Sequence, residues 1–138
     1  RFPQDDVLGE ENQVDRSTLK SARRWIVDPI DGTTNFVHGF PFYAISIGLE
    51  VEGELVVGVI LDPNRQECFS ASKNQGAFLN GKSIHVSAAS HLGEAMVCVG
   101  LPAVPEQFPR STSTLKRMSE KARSIRRMGS AALPLAYV

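Results

Sequence analysis

This sequence is short of several things. It has only two cysteines, Cys68 and Cys98. They make neither a disulfide framework nor the paired spacing of a metal-ligand motif. A reducing cytoplasm is therefore the expected compartment. No sign of charge dominates, because 15 Lys+Arg face 15 Asp+Glu. A general nucleic-acid binder needs excess cations to neutralise phosphates, so nucleic acid is not an expected partner. No apolar run reaches the roughly 18 residues that span a bilayer, and no membrane role is expected. Repeats and low-complexity tracts are absent, and Trp25 is the only tryptophan. What is present suits a folded domain: 138 residues, 42% of them hydrophobic, enough to bury a core. The chain opens on Arg1-Phe2-Pro3, which is neither a start methionine nor a signal peptide. It closes at Ser130–Val138 on what reads as a helix barely begun, so a piece of something longer is the expectation.

Hydrophobic periodicity supplies the elements. Arg24–Asp28 is a short strand that Pro29 stops, with a turn at Gly32. Over Ala44–Val51, Ile45, Ile47, Leu49 and Val51 alternate with Ala44, Ser46, Gly48 and Glu50, the period of a half-buried strand. Glu52-Gly53 turns the chain into a partner strand, Leu55–Leu61. Glu67–Ser72 is a further strand. Ala77–Leu79 and Ser83–Val86 form a second hairpin about Asn80-Gly81, a pair that tolerates the positive φ of a tight turn. Met96–Val99 reads as a buried strand, Pro102–Pro109 as a loop and Ser124–Met128 as one more strand. Ser113–Arg123 reads as an amphipathic helix with Leu115, Met118 and Ala122 on one stripe. Ser130 stands at the N-cap of the closing helix. The order implies an α+β domain, an antiparallel sheet flanked by helices.

The chemistry concentrates in Asp28-Pro29-Ile30-Asp31-Gly32-Thr33-Thr34-Asn35-Phe36. Two carboxylates flank a Pro-Ile step at the end of a strand. Asp, Pro and Gly are also ordinary turn residues, so five residues alone leave turn chemistry and metal binding both open. Carboxylate oxygens are what hard Mg²⁺ prefers. Paired metals clamp attacking and leaving oxygens in phosphoryl transfer. Backbone N–H groups at Gly32 and Thr33 could receive phosphate oxygens if they open a turn or helix. A second acidic pair, Glu10-Glu11, lies upstream, and four gathered carboxylates are costly unless a cation neutralises them.

Leu8-Gly9-Glu10-Glu11 and Trp25–Phe36 resemble the first two signature motifs of the inositol monophosphatase family. The resemblance continues through Val37–Phe42, Ser46-Ile47-Gly48, Gly76–Gly81 and Arg126–Ala132, in order over nearly the whole chain. It implies the layered αβαβα sugar-phosphatase fold, a homodimer and Mg²⁺. Glu10 would ligate the first metal and take part in catalysis, and Asp28 would bridge both metals. The carbonyl of Ile30 would join the first and Asp31 the second, with Glu11 just behind these ligands. Thr33 would position the attacking water and, with Gly32, hold the phosphate. Gly129, Ser130 and Ala131 would lie near the alcohol portion of the substrate. The implied reaction is in-line attack by metal-activated water on a small-molecule phosphate monoester. Inositol monophosphate is indicated first, ahead of sugar bisphosphates, nucleotide bisphosphates or histidinol phosphate. The alternative is a family member acting as a regulatory module through protein or RNA contacts, to which only the basic run Lys116–Arg127 points.

The family's later Trp-Asp-x-Ala-Ala-Gly motif, whose Asp completes the second metal site, has no counterpart here, nor do the helices before Gly-Glu-Glu. Residues 1–138 are accordingly expected to be the N-terminal, metal-binding portion of a larger phosphatase, truncated at both ends and inactive or weakly active alone. Gly76–Ser83 also fits the G-x-x-x-x-G-K-[ST] phosphate loop, but that motif works only between a strand and a helix, and a hairpin is expected here. His38 reads as packing or surface rather than a base, and His85 and His91 have no neighbours suggesting ligation. Cys68 and Cys98 read as buried packing residues. Trp25, Phe40, Phe42 and Tyr43 read as core support for the acidic loop. The basic run reads as a solvated helix face.

Overall fold

A computed structural model describes residues 2–9, 21–100, 106 and 108–138. Glu10 and Glu11, and most of the loop expected at 102–109, lie outside the described residues. Seven consecutive strands form one sheet in sequence order: β1 (Asp6–Gly9), β2 (Arg23–Asp31), β3 (Ala44–Val51), β4 (Glu54–Asp62), β5 (Glu67–Ser72), β6 (Gly76–Leu79) and β7 (Lys82–Ile84). Every neighbouring pair is antiparallel except β1 and β2, which run parallel. β8 (Met96–Cys98) and β9 (Ser124–Arg126) form a separate parallel pair. Among the described residues three α-helices accompany them, α1 (Thr33–Val37), α2 (Phe108–Ser119) and α3 (Ala132–Ala136), with a short 3-10 helix at Leu92–Glu94. The fold is α+β with a large sheet and few helices. Among the described residues no helix is long and apolar enough to cross a membrane.

The alternating runs set the strands where expected. β3 and β5 keep the bounds that their periodicity gives, and Glu52-Gly53 and Asn80-Gly81 close the two tight hairpins. Glu52 (φ 52°) and Asn80 (φ 48°) both take the left-handed conformation such turns require. Asn80 also stitches its turn to β5, accepting the Cys68 N–H at 2.8 Å and donating to the Gln66 carbonyl at 3.1 Å. The phosphate-loop pattern at 76–83 is thus a hairpin, with strand on both sides.

Several expectations are corrected. Pro29 does not stop β2, which continues to Asp31 through a bulge. α2 starts at Phe108, with Pro109 in the first turn where its missing N–H costs nothing, and ends at Ser119, before Arg123. β8 is not buried: among the described residues it pairs with β9 alone, Met96 and Cys98 are exposed and Val97 is half-buried. Cys68 is half-buried. Phe40 is exposed. Trp25 lies away from the acidic loop, stacked near Phe2 and donating its indole N–H to Asp5 at 2.8 Å. The exposed cations Lys116, Arg117 and Lys121 fit the solvated-face reading, while Leu115, Met118 and Ala122 are half-buried.

The core is small and sits beside the acidic loop. Phe42, Ala44 and Leu133 are buried together, with Ile60 and Met128 packed against them. α3 thus lies over the small-residue face of β3, the side of Ala44, rather than over the branched face of Ile45 and Ile47. Phe69 is buried edge-on against Tyr137, the residue that caps the end of α3.

Candidate metal and phosphate site

The bulge builds the site. Asp28 pairs with Ser46 and Asp31 with Ala44, so two residues on β2 stand between pairings that only one residue separates on β3. In an even strand, positions three apart face opposite ways. The extra residue cancels that, and both carboxylates project from the face that carries Ala44 and Ser46. Pro29 suits the bulge because it offers no N–H to a ladder.

The two carboxylates then meet different surroundings. One oxygen of Asp28 accepts the Ile30 N–H at 3.0 Å. Its other oxygen has no hydrogen-bond partner among the described residues, and Asp28 lines a broad open groove with Ile26, Ser46 and Gly48. Asp31 is 9% exposed and occupied. It accepts the Ser130 hydroxyl, the Ala131 N–H at 2.9 Å and the Ala132 N–H at 2.9 Å. Ser130 in turn accepts the Leu133 N–H at 3.2 Å. The N-cap itself is Ala131, one residue later than expected, and Ser130 serves the opening turn of α3 from just ahead of it.

Gly32 enters α1 in the left-handed region at φ 92°, and a Cβ there would stand 3.2 Å from the Phe42 carbonyl. Only glycine fits without strain. The N–H groups of the first turn of α1 have no partners within the helix. The exposed Thr33 hydroxyl donates to the Ile30 carbonyl at 3.0 Å. His38 is exposed and its Nδ1 lies 2.9 Å from the Thr34 carbonyl. A carbonyl only accepts, so that nitrogen carries the proton and ties down the end of α1.

The structure thus brings together Asp28, Ile30, Asp31, Gly32, Thr33, Gly129, Ser130 and Ala131. Glu10, the remaining residue of the expected site, lies outside the described residues, immediately after β1. Among the described residues no cluster of three or more His, Cys, Asp or Glu side chains stands ready for a metal. The donors gathered there are nonetheless all oxygen: Asp28 with one oxygen unanswered among the described residues, and the Ile30 carbonyl and Asp31, which already accept bonds from within the chain. That set fits a hard divalent cation and not a thiophilic one.

Two contributors escape sequence reasoning. Asn35 donates to the Phe42 and Met128 carbonyls, each at 2.7 Å. Nothing local signals this, because Met128 is 93 positions away. Asp62 is fully buried at the end of β4 and accepts from Asn64 N–H (2.8 Å), Arg65 N–H (3.1 Å) and the Arg65 guanidinium (2.8 Å). Burial pushes its carboxyl up, but the Arg65 and Asn64 hydrogen bonds and the Arg65 charge outweigh that and hold it below its ordinary value. Arg65 also lies over the Phe42 ring, 5.6 Å from its centroid, and so braces the segment that Asn35 grips.

Comparison with known proteins bears on this arrangement. A model of the inositol monophosphatase family matches residues 1–138. Inositol monophosphatase 2 of Solanum lycopersicum is 46% identical over 99% of the chain and 54% of its own length. Inositol-1-monophosphatase of Rhizobium meliloti is 43% identical over 95% of the chain and 49% of its own length. Among solved structures, the extragenic suppressor protein suhB of Bartonella henselae superposes with a TM-score of 0.90 at 42% identity, covering 99% of this chain and 52% of that one. The chain spans about half the length of each.

Proposed function

The chain belongs to the inositol monophosphatase family, and from that premise we propose that the protein carrying it hydrolyses a small-molecule phosphate monoester, inositol monophosphate first among candidates. The observation that carries the proposal is the bulge that turns Asp28 and Asp31 to one face beside the start of α1. Glu10, Asp28, the Ile30 carbonyl and Asp31 would hold Mg²⁺. When bound, the cation lowers the pKa of water and offsets the charge that develops on phosphate oxygens. Asp28 is suited to cation binding because no described residue answers its second oxygen. Asp31 is suited to fixing position, because three donors already orient its carboxylate. The Thr33 hydroxyl, anchored on Ile30, orients the attacking water, and with Gly32 it receives the phosphate at the opening turn of α1. Gly129, Ser130 and Ala131 border the alcohol portion, since their turn is fastened to Asp31. The same resemblance supports a homodimer, and the scarcity of cysteine a cytoplasmic setting, for the whole protein. We place this chain as its N-terminal, metal-binding portion.

The test is phosphate release from inositol monophosphate by the whole protein, with and without Mg²⁺, alongside calorimetric Mg²⁺ titration of Asp28→Asn and Asp31→Asn. Mg²⁺-dependent release with weakened binding in both variants is expected. Unchanged Mg²⁺ affinity in both would remove the basis of the reading.

A further inference from the structure

We infer that Asn35 is a positioning residue that clips the turn Met128–Ala131 against the acidic loop; this rests on the reading of Asp31 and Ser130 as parts of the site. The side-chain amide has two N–H donors, and both are used, on the Phe42 carbonyl at 2.7 Å and the Met128 carbonyl at 2.7 Å. Carbonyls only accept, so the amide nitrogen must face them, and an aspartate there would set an anion against two acceptors.

The neighbouring residue is shaped to this grip. Gly129 sits at φ 82°, and a Cβ on it would fall 2.7 Å from Asn35 Oδ1 and 2.8 Å from Nδ2. The turn therefore rests directly on the amide plane, a distance at which only glycine fits. Its far side is fastened by Asp31, through the Ser130 hydroxyl and the Ala131 and Ala132 N–H groups. A third close approach lies between them, where a Cβ on Gly32 would be 3.4 Å from the Gly129 carbonyl. Two side chains of one short segment thus hold one remote turn at both ends. Releasing the Asn35 end leaves Asp31 to orient the turn alone, and the turn can no longer orient Asp31. Partners of this kind, standing behind the groups that touch a metal, typically change its affinity by about 10- to 100-fold.

Hydrogen exchange read amide by amide tests the clip without reference to catalysis. In Asn35→Ala and in the near-isosteric Asn35→Asp, exchange at Ala131 and Ala132 is expected to quicken by about 10-fold or more, while amides of the β3–β4 hairpin keep their protection. Gly129→Ala is expected to lower the melting temperature less in the Asn35→Ala background than alone, because the clash is gone. Calorimetric Mg²⁺ affinity of the whole protein should fall by about 10-fold in Asn35→Asp. Unchanged exchange at both alanines, or protection lost equally across the hairpin, would overturn the clip. Faster exchange with unaltered Mg²⁺ affinity would reduce Asn35 to a staple and overturn the positioning role. If the unaltered protein binds no Mg²⁺ and releases no phosphate, the functional reading fails instead, and the exchange result still reads the clip.

Discussion

Two strands of the sheet run into the same dipeptide. Asp28-Pro29 lies within β2 and Asp62-Pro63 closes β4. In each, one carboxylate oxygen accepts the N–H two residues on, from Ile30 at 3.0 Å and from Asn64 at 2.8 Å. This is the turn chemistry expected of Asp-Pro. The fate of the second oxygen separates them. Three residues on, one strand places Asp31 and the other Arg65. Arg65 closes on Asp62 at 2.8 Å and the carboxylate is sealed. Asp31 turns instead to α3, and Asp28, which lines the groove, keeps one oxygen that no described residue answers. Turn formation and cation binding were never exclusive, because the turn uses half of the carboxylate. The charge at the third position decides whether the other half is answered from within the chain.

Breaking the open member should give the largest effect. Asn in place of Asp28 keeps the acceptor for Ile30 and loses only the charge. Asp28→Asn is expected to cut kcat/KM of the whole protein by about 10²-fold or more, a typical loss for a group that answers transition-state charge. Its melting temperature should stay close to the parent's by calorimetry. Breaking the sealed member should do the reverse. Asp62→Ala strands a guanidinium and two N–H groups, and urea titration should show a loss of about 2–3 kcal/mol. Most of that comes from the buried acceptor. Arg65 is 46% exposed, so solvent screens the ion pair itself. The Asp62 carboxyl is held below its ordinary value of 3.8, so its stabilisation is present above that pH and is lost as pH falls through the lower folded value. Asp62→Asn should therefore flatten the acid limb of stability against pH.

The smallest effect belongs to Tyr137, near the sealed end. Burial, with the hydrogen bond to Glu67, pushes its phenol up to about 12. The sign is opposite to that of Asp62: the contribution is complete below the ordinary value of 10.0 and is lost as pH rises toward 12. Tyr137→Phe should change stability by less than about 0.5 kcal/mol at neutral pH. It should also remove a late step from the ultraviolet tyrosinate titration.

How legible this was depends on the range over which a signal acts. β3, β5 and both hairpin turns follow from alternation and from local residues such as Asn80-Gly81, and the structure keeps them. Asp28 and Asp31 stood out because their chemistry lies within four adjacent residues. Asn35 and Asp62 did not. The first meets its partner 93 positions away, and the second reads as an ordinary turn until Arg65 folds back. Burial was misjudged where it depends on neighbours from elsewhere in the chain. Cys98 and Phe40 are apolar in sequence yet exposed, since among the described residues β8 has β9 alone beside it and Phe42, not Phe40, turns into the core. Alternation in β3 separated its two faces correctly but could not say that α3 would settle on the side of Ala44.

A strand keeps a binary count, in which each residue added or removed reverses the orientation of everything beyond it. Pro29-Ile30 holds one odd digit of that count in β2. Exchanging either residue for another leaves the parity unaltered, whatever the side chain. Removing either one would instead take away the bulge that absorbs the extra residue: the aspartates would stand two apart in an even strand, still on one side, but without the turn in which Asp28 accepts the Ile30 N–H and the Ile30 carbonyl meets Thr33. The spare residue is therefore not what aims the two carboxylates; what it adds is the kink in which a backbone carbonyl and the Thr33 hydroxyl stand beside them.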